Sequence, residues 1–329
     1  MRAMLLTGFG DVSNFELGEL PRPEPGPGQV LVRVAAASVN PVDVKIRQLA
    51  PAFAPKLPAV LGLDFAGLVE EVGEGVTAYA PGDEVYGCAG GVGQRQGALA
   101  ELMPADVRFL ARKPRALDFR SAAALPLVAI TAWDALHGKA RVQAGEHALI
   151  QGGAGGVGHV AVQLAKAAGL AVAATVSSPA KADIARSLGA DEIINYREEE
   201  PAAYVQRLTG GAGFDLAFDT VGGASLEASI AAVRPRGRVV STNTRSTHDL
   251  SLLHAKALSL HVVFMLLPLV SAVGEPDYAP ILREVAALAD AGRLTPLLDE
   301  RAFSLARAAE AHALVESGKA VGKVVVDVV

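Results

Sequence analysis

Residues 151–169, QGGAGGVGHVAVQLAKAAG, place five glycines among eight residues and follow them with an alanine-rich apolar run. Gly153, Gly155 and Gly158 fit G-x-G-x-x-G, with Ala154, Gly156 and Val157 filling the pattern. Such glycines carry meaning when a strand precedes them and a helix follows. HALIQ (147–151) reads as a short apolar strand. Val157, Val160, Leu164 and Ala168 then recur at helical spacing until Gly169 stops the helix. In that setting the first glycine allows the tight turn and the second lets a pyrophosphate approach the backbone. The third packs helix against strand, while the free N–H groups of the helix start face the phosphates. The stretch is expected to bind a dinucleotide; a merely flexible loop is the plainer alternative. A nucleotide loop of the Gly-Lys-Ser/Thr kind is excluded, because His159 follows Gly158.

The choice of dinucleotide turns on the end of the next strand. An NAD site needs an acid about 20 residues on, to accept from the ribose hydroxyls. Here the chain reads TVSSPAK, with Ser177, Ser178 and Lys181 and no carboxylate. Nothing there repels a 2′-phosphate and Lys181 can pair with one, so NADPH is expected. Lys181 could equally be a solvated lysine on a helix face.

The elements that must position these residues fall into two textures. Up to about residue 120 the chain is valine-rich and punctuated by Pro and Gly. QVLVRVAAASV (29–39) is a strand, PRPEPGPG (21–28) a rigid turn, and FAGLVEEVGEGV and GDEVYG continue in short strands. From about 122 strands and helices alternate. LAVAATV (170–176) is followed by the helix PAKADIARSLG (179–189), then by strands in EIINY, FDLAFD and GRVVST. That order predicts an α/β fold, a doubly wound parallel sheet with right-handed crossovers. After about 270 come two helices, in PILREVAALADAG and LARAAEAHALVESG, and a last strand, KVVVDVV.

At 329 residues the chain has room for about two domains. Its net charge of −5 offers no general basic surface for nucleic acid or an acidic membrane. The single cysteine, Cys88, can form neither an internal disulfide nor a cysteine zinc cluster, which points to a reducing, cytoplasmic setting. The opening MRAMLLTGFGDV is too short an apolar run for a signal peptide, and Asp11 comes early. LHVVFMLLPLV (260–270) is too short to span a bilayer and contains Pro268; it reads as a buried strand and its exit.

SVNPVDVKIR (38–47), LGLDFAGLVEEVGEGV (61–76), GDEVYG (82–87), LPLVAITAW (125–133), the glycine loop, FDTVGG (218–223) and GKVVV (322–326) form a coordinated series. In them the chain resembles the medium-chain dehydrogenase/reductase superfamily, in its zinc-free quinone oxidoreductase (zeta-crystallin-like) branch. The resemblance implies a GroES-like β-rich catalytic domain from residues 1–121 and 271–329 and a Rossmann domain from 122–270. It implies an active site in the cleft between them and a homodimer paired through strand 260–267. Zinc-dependent relatives carry a cysteine before the Asp of the first stretch and Gly-His-Glu in the second, where this chain reads SVNPVD and GLDFAG. Lacking also a four-cysteine loop, ligand-spaced histidines and H-E-x-x-H, the chain is expected to hold no metal. The absence of G-x-S-x-G argues against a serine hydrolase. By resemblance, Thr131 lies near the nicotinamide, and Lys181 and Tyr196 hold the 2′-phosphate end. Val221 and the backbone of Ser241, Thr242, Asn243 and Thr244 line the nicotinamide pocket, and Lys323 reaches in from the tail. Plainer roles exist: a strand-end aromatic for Tyr196, a backbone-bonded helix threonine for Thr131, a surface lysine for Lys323.

Without a metal, a hydride donor suits acceptors that are already activated, such as quinones or α,β-unsaturated carbonyls. Hydride adds to the quinone or to the enone β-carbon, charge moves to oxygen, and donors at that oxygen stabilise it. NPVDVKIR offers such donors in Asn40 and Lys45. Many quinone reductases have a tyrosine where this chain has Lys45, whose ammonium would stabilise an enolate and donate a proton, or else hold a cofactor ribose or phosphate. A purely structural account also fits: Asn40 as N-cap, Pro41 at the first helical position, Asp43 in the first turn. Arg47 reads as structural or at the cleft rim. GCAGGVGQRQGALAEL (87–102) reads as a mobile loop shaping substrate access, and Cys88 as a packed thiol. His159 reads as a partly exposed helix residue. Two other functions compete. An enoyl-thioester reductase would need a basic surface for a coenzyme A or carrier phosphate, and the sequence shows no clear cluster. The other is a non-catalytic NADPH-binding protein, structural or RNA-binding.

Overall fold

A computed structural model describes residues 1–271 and 277–329 of the chain. It divides into two compact units. One comprises Met1–Leu127, Leu266–Gly292 and Pro296–Val329, the other Val128–Met265 with Arg293–Thr295. Against the expected breaks at 121 and 271, the first unit runs on to Leu127 and resumes at Leu266. Residues 293–295 join the second unit for a plain reason: Gln163 donates to the Thr295 carbonyl and accepts its N–H, at 2.9 and 2.8 Å.

The first unit opens with β1 (Arg2–Leu6), β2 (Phe15–Glu19), β3 (Gln29–Val39), helix α1 (Pro41–Leu49), β4 (Ala59–Val60), β5 (Asp64–Val72), β6 (Glu84–Cys88), β7 (Leu102–Asp106) and β8 (Leu110–Arg112). Strands β2, β1 and β4 make a small antiparallel sheet. β3 is the hub of the larger one: β5 pairs along one edge and β7 along the other, and nearly every side chain of β3 is buried. Where β3 shifts register near Val34, Gly67 of β5 approaches so closely that a Cβ would lie 2.1 Å from the Arg33 carbonyl. Segment 89–100, expected to be mobile, is instead tied into this unit. Gly97, Ala98 and Leu99 donate to Val60, Gly62 and Leu61, and Met4 donates to Leu99. Helices α2 (Phe119–Ala123) and α3 (Pro126–Trp133) follow.

In the second unit, α3 passes into a π-helical turn, Asp134–Lys139. Then come β9 (His147–Ile150), α4 (Gly158–Ala167), β10 (Ala171–Val176), α5 (Pro179–Ser187), β11 (Glu192–Asn195), α6 (Pro201–Thr209), β12 (Phe214–Asp219), α7 (Ala224–Ala232), β13 (Val233–Ser241), α8 (Ser251–Ala255) and β14 (Ser259–Val262). All pairs are parallel, in the order β11-β10-β9-β12-β13-β14. The order reverses between β9 and β12, and α/β sheets hold ligands beyond the strand ends at that point. Leu149, Ile194, Phe214, Leu226, Ile230 and Val239 belong to the core cluster under α6 and α7. Lys256 caps the end of α7, donating to the Ala231 and Val233 carbonyls at 2.6 and 2.9 Å. The expected buried strand at 260–270 is corrected. Among the described residues β14 is an edge strand paired only with β13, Val262 is 49% exposed, and the chain then turns into a short helix, α9 (Leu267–Val270).

The tail supplies α10 (Ala279–Asp290), β15 (Phe303–Ser304), α11 (Ala308–Glu316) and β16 (Val324–Asp327). β16 lies antiparallel to β3 with Val324 opposite Val39, which sets Lys323 beside Asn40. No helix among the described residues is long and apolar enough to cross a membrane.

Candidate functional site

The glycine loop leaves β9 under tight constraint. Gly152 takes φ +69°, a conformation that favours glycine, and its N–H donates to the Thr175 hydroxyl of β10 at 2.9 Å. Gly153 donates to the Thr175 carbonyl, and a Cβ on it would stand 2.6 Å from that of Ala174. A Cβ on Gly158 would stand 2.1 Å from the Gly152 carbonyl. The tight turn therefore falls one residue before the motif's first glycine. Gly152 makes the turn, Gly153 meets the strand, and Gly158 closes the loop on itself as α4 begins. The backbone N–H groups of Ala154, Gly156 and Val157 have no partner among the described residues, which leaves three donors at a helix start for an anion. His159, read as partly exposed, is fully buried, its ring 3.0 Å from the Gly155 carbonyl.

Beside this loop a cavity of about 770 Å³ runs along the C-terminal ends of the parallel strands. The loop contributes Gly152, Ala154 and Gly155. Ser177 comes from the end of β10, Lys181 from the first turn of α5, Tyr196 from the end of β11, and Val221 from just past the end of β12. Its size suits a small-molecule ligand. Ser178 faces elsewhere: it is the N-cap of α5, accepting the Lys181 N–H, and it lines a separate hollow. Lys181 stands in the first turn of that helix, where the backbone dipole adds to its positive charge. Tyr196 is 55% exposed, so it is no core aromatic. Glu199 also lines the cavity, and Arg207 grips its carboxylate at 2.6 and 2.9 Å.

At the other end Asp219, which the sequence reading passed over, organises the turn after β12. Its buried carboxylate accepts from the N–H groups of Val221 and Gly222 and from the Ser241 hydroxyl at 2.7 Å. Thr242 donates to its carbonyl, and Asn243 donates its side-chain N–H to the Val221 carbonyl at 2.9 Å. Val221, Ser241, Thr242 and Asn243 are thus brought together, but the Ser241 hydroxyl is spent inside the network. Gln151 was also missed: it accepts from Thr175 and donates to Ser229, tying β9 to β10 and α7. The available signal was a polar residue at each strand end, immediately before a glycine turn. Thr131 lies buried in α3, just before the π-helical turn.

The other unit holds a buried polar network. Asp64, at the start of β5, accepts from Ser38 and Asn40 at 2.9 Å each and from the Leu127 N–H at 2.8 Å, where α3 begins. Lys323 sits 3.4 Å from the same carboxylate and donates to the Asn40 side-chain carbonyl. Asn40 is fully buried and Lys323 is 3% exposed. Register explains the meeting: Ser38 pairs with Asp64 across β3 and β5, and Asn40 faces Lys323 across β3 and β16. Asp43 accepts the Asn40 N–H at 2.8 Å; burial pushes its carboxyl up to about 7, with Asp64 adding to the rise. Asn40 therefore starts α1, but its side chain serves Asp64 and Lys323. Lys45 is exposed on the other side of α1 and stands outside this network. Arg47 is structural, donating to Gly10 and Glu316. Cys88 is packed as expected, and burial pushes its thiol well up. Among the described residues no three His, Cys, Asp or Glu side chains converge to hold a metal. Asp64 is already filled by donors and a cation, so these residues do not fit a zinc ion.

Residues 26–115 match the family model of the alcohol dehydrogenase GroES-like domain, and residues 188–326 that of the zinc-binding dehydrogenase. The chain belongs to the medium-chain dehydrogenase/reductase superfamily. It is 35% identical to phthioceranic/hydroxyphthioceranic acid synthase of Mycobacterium tuberculosis, over 97% of this chain but only 15% of that much longer protein. To the chloroplastic NADPH-dependent alkenal/one oxidoreductase of Arabidopsis thaliana it is 32% identical, over 99% of this chain and 79% of the relative. A crystal structure of an alcohol dehydrogenase superfamily protein from Novosphingobium aromaticivorans superposes with a TM-score of 0.95 at 43% identity, covering all of both chains.

Proposed function

We propose that the protein is a cytoplasmic, homodimeric, NADPH-dependent reductase of quinones or α,β-unsaturated carbonyls that works without a metal. The carrying observation is the cavity end made by Ser177, Lys181 and Tyr196 beside three unpartnered loop N–H groups. It offers an anion two kinds of donor, and β10 ends without the acid an NAD ribose would want. The NADPH-dependent alkenal/one oxidoreductase among the relatives supports the same reading.

NADPH, when bound, supplies the hydride. The loop N–H groups hold its pyrophosphate, Lys181 and Tyr196 its 2′-phosphate, and the Asp219-ordered turn presents the Val221 and Ser241–Asn243 backbone, with Thr131, to its other end. Lys45, exposed and unengaged, donates to the substrate oxygen as charge reaches it and can return a proton. Asn40 acts at one remove by fixing Lys323.

The test is oxidation of NADPH, with NADH in parallel, against quinones, cyclic and open-chain enones and an enoyl thioester, with no added metal and with chelator present. NADPH turnover of a quinone or enone is expected. Tight NADPH binding with no turnover of any acceptor would transfer the reading to a binding protein. A second reading, enoyl-thioester reduction, is favoured by one observation: the 35% identity, over 97% of this chain, with phthioceranic/hydroxyphthioceranic acid synthase.

A further inference from the structure

The cavity beside the glycine loop extends from Lys181 and Tyr196 to α6 and α7, where Tyr204, Ser225, Ala228 and Ala231 line it. Ala224, Ala228 and Ala231 stand at positions i, i+4 and i+7 of α7, so one face of that helix is trimmed to methyl groups. Pro201 of α6 and Val221 add to this apolar wall. Pockets of this kind take a flat ring on the apolar side and fix its orientation through a few polar groups. Two hydroxyls interrupt the wall. Tyr204 is 2% exposed, and neither its hydroxyl nor that of Ser225 has a hydrogen-bond partner among the described residues. Buried hydroxyls are nearly always paired, because stranding one forfeits its bonds to water. Gln151, which also lines the cavity, spends its amide on Thr175 and Ser229 at 2.8 and 3.2 Å. The Ser229 hydroxyl in turn donates to the Ser225 carbonyl at 2.8 Å. The Tyr204 ring is packed 6.4 Å from that of Phe214, and burial pushes its phenol up to about 12, so it keeps its proton at physiological pH.

We propose that Tyr204 and Ser225 read the adenine base of the dinucleotide, through hydrogen bonds to its exocyclic amine and the adjoining ring nitrogen. The proposal rests on the reading above, which sets the 2′-phosphate at Ser177, Lys181 and Tyr196 and the pyrophosphate at the loop. The base hangs from the ribose that bears the 2′-phosphate, so it enters the same cavity. Its amine donates where the neighbouring nitrogen accepts. A hydroxyl can do either, and two of them match that pair. The alanine face of α7 takes the flat of the ring. Recognition of the base is thereby separate from the choice between NADPH and NADH, which falls to Lys181.

The experiment compares NADP+ with its etheno derivative, in which a two-carbon bridge closes a ring over the adenine amine and its neighbouring nitrogen. Both are titrated calorimetrically into the full chain as wild type, Tyr204→Phe and Ser225→Ala. Wild type should bind NADP+ roughly tenfold or more tightly than the etheno derivative. Each variant should lose roughly three- to tenfold of its NADP+ affinity and leave that for the etheno derivative unchanged, so that the gap narrows. The melting temperature of the free Tyr204→Phe chain should match or exceed that of wild type, because the change removes a buried polar atom without a partner. A less stable Tyr204→Phe chain would show the hydroxyl paired within the fold and overturns its part. A gap that narrows in one variant alone upholds that residue and overturns the other. A gap undiminished in both variants, equal losses for both dinucleotides, or equal affinities in wild type overturns the assignment and leaves the dinucleotide reading standing. If wild type binds neither molecule, the dinucleotide reading itself fails and the assignment falls with it.

Discussion

Lys181 and Lys45 carry separable parts of the proposed chemistry, and their surroundings say how to part them. Lys181 lines the cavity at the first turn of α5, where a charge-assisted bond to a 2′-phosphate is worth about 1.5–3 kcal/mol. Lys181→Met should therefore raise the KM for NADPH roughly 10–100-fold and leave that for NADH alone. Parallel losses with both cofactors would mean that the lysine only shapes the cavity. Lys45 is exposed and free of the buried network, so Lys45→Met should fold normally. As general acid it would lower kcat about 100-fold or more with NADPH binding intact. An unchanged kcat would remove it from the mechanism. Asn40, by contrast, is engaged at both ends of its amide, to Asp64 and Lys323. Its removal leaves a buried carboxylate and a buried ammonium each short of a partner, which is a stability effect before it is a kinetic one.

Elements show where sequence reading succeeds and where it stops. Strand β9, the glycine turn and α4 were legible because a glycine whose Cβ would strike the Ala174 side chain or the Gly152 carbonyl leaves a mark in residue type. Gly153→Val should accordingly push the loop off β10 and weaken NADPH binding at least tenfold, read by fluorescence titration; unaltered binding would show that the loop relaxes freely. The Asn40–Asp64–Lys323 network was not legible. It depends on the register of β5 and β16 against β3, and register between strands so far apart in sequence writes no local pattern. Strand β14 misled for a related reason. Its apolar run looked like core, yet β14 occupies the sheet edge with Val262 exposed, and Phe264 and Leu267, exposed too, lie beyond the strand. An open sheet edge is a template for pairing, and the proposed homodimer would use it. Wild type should sediment as a dimer at micromolar concentration, and Val262→Lys as a monomer. A wild-type monomer would end that proposal.

Stability of the whole molecule brings together two buried groups that titrate in opposite senses. His312 of α11 is fully buried, packed 4.8 Å from the Phe15 ring, and neither ring nitrogen has a hydrogen-bond partner among the described residues; burial holds it down to about 3. The unfolded chain takes up that proton near 6.5. Between about 6.5 and 3 the unfolded state binds more protons, so stability is lost as pH falls, by about 1.4 kcal/mol per pH unit once the unfolded histidine is charged. Asp43 does the reverse. Folded, it keeps its proton up to about 7, while the unfolded side chain releases it near 3.8. Over that window the folded state binds more protons, so stability is gained as pH falls from 7 towards 4. The two slopes oppose each other between about pH 4 and 6.5, and wild type hides both. Urea unfolding at several pH values should separate them. His312→Leu should gain on wild type steadily as pH drops from 6.5 to 4.5, while Asp43→Asn should fall further behind over the same range. Curves that run parallel to wild type for both variants would mean that neither group holds the buried protonation state its surroundings impose. A shift in His312→Leu alone would confine the effect to the Phe15 pocket and leave Asp43 ionised within reach of Lys323.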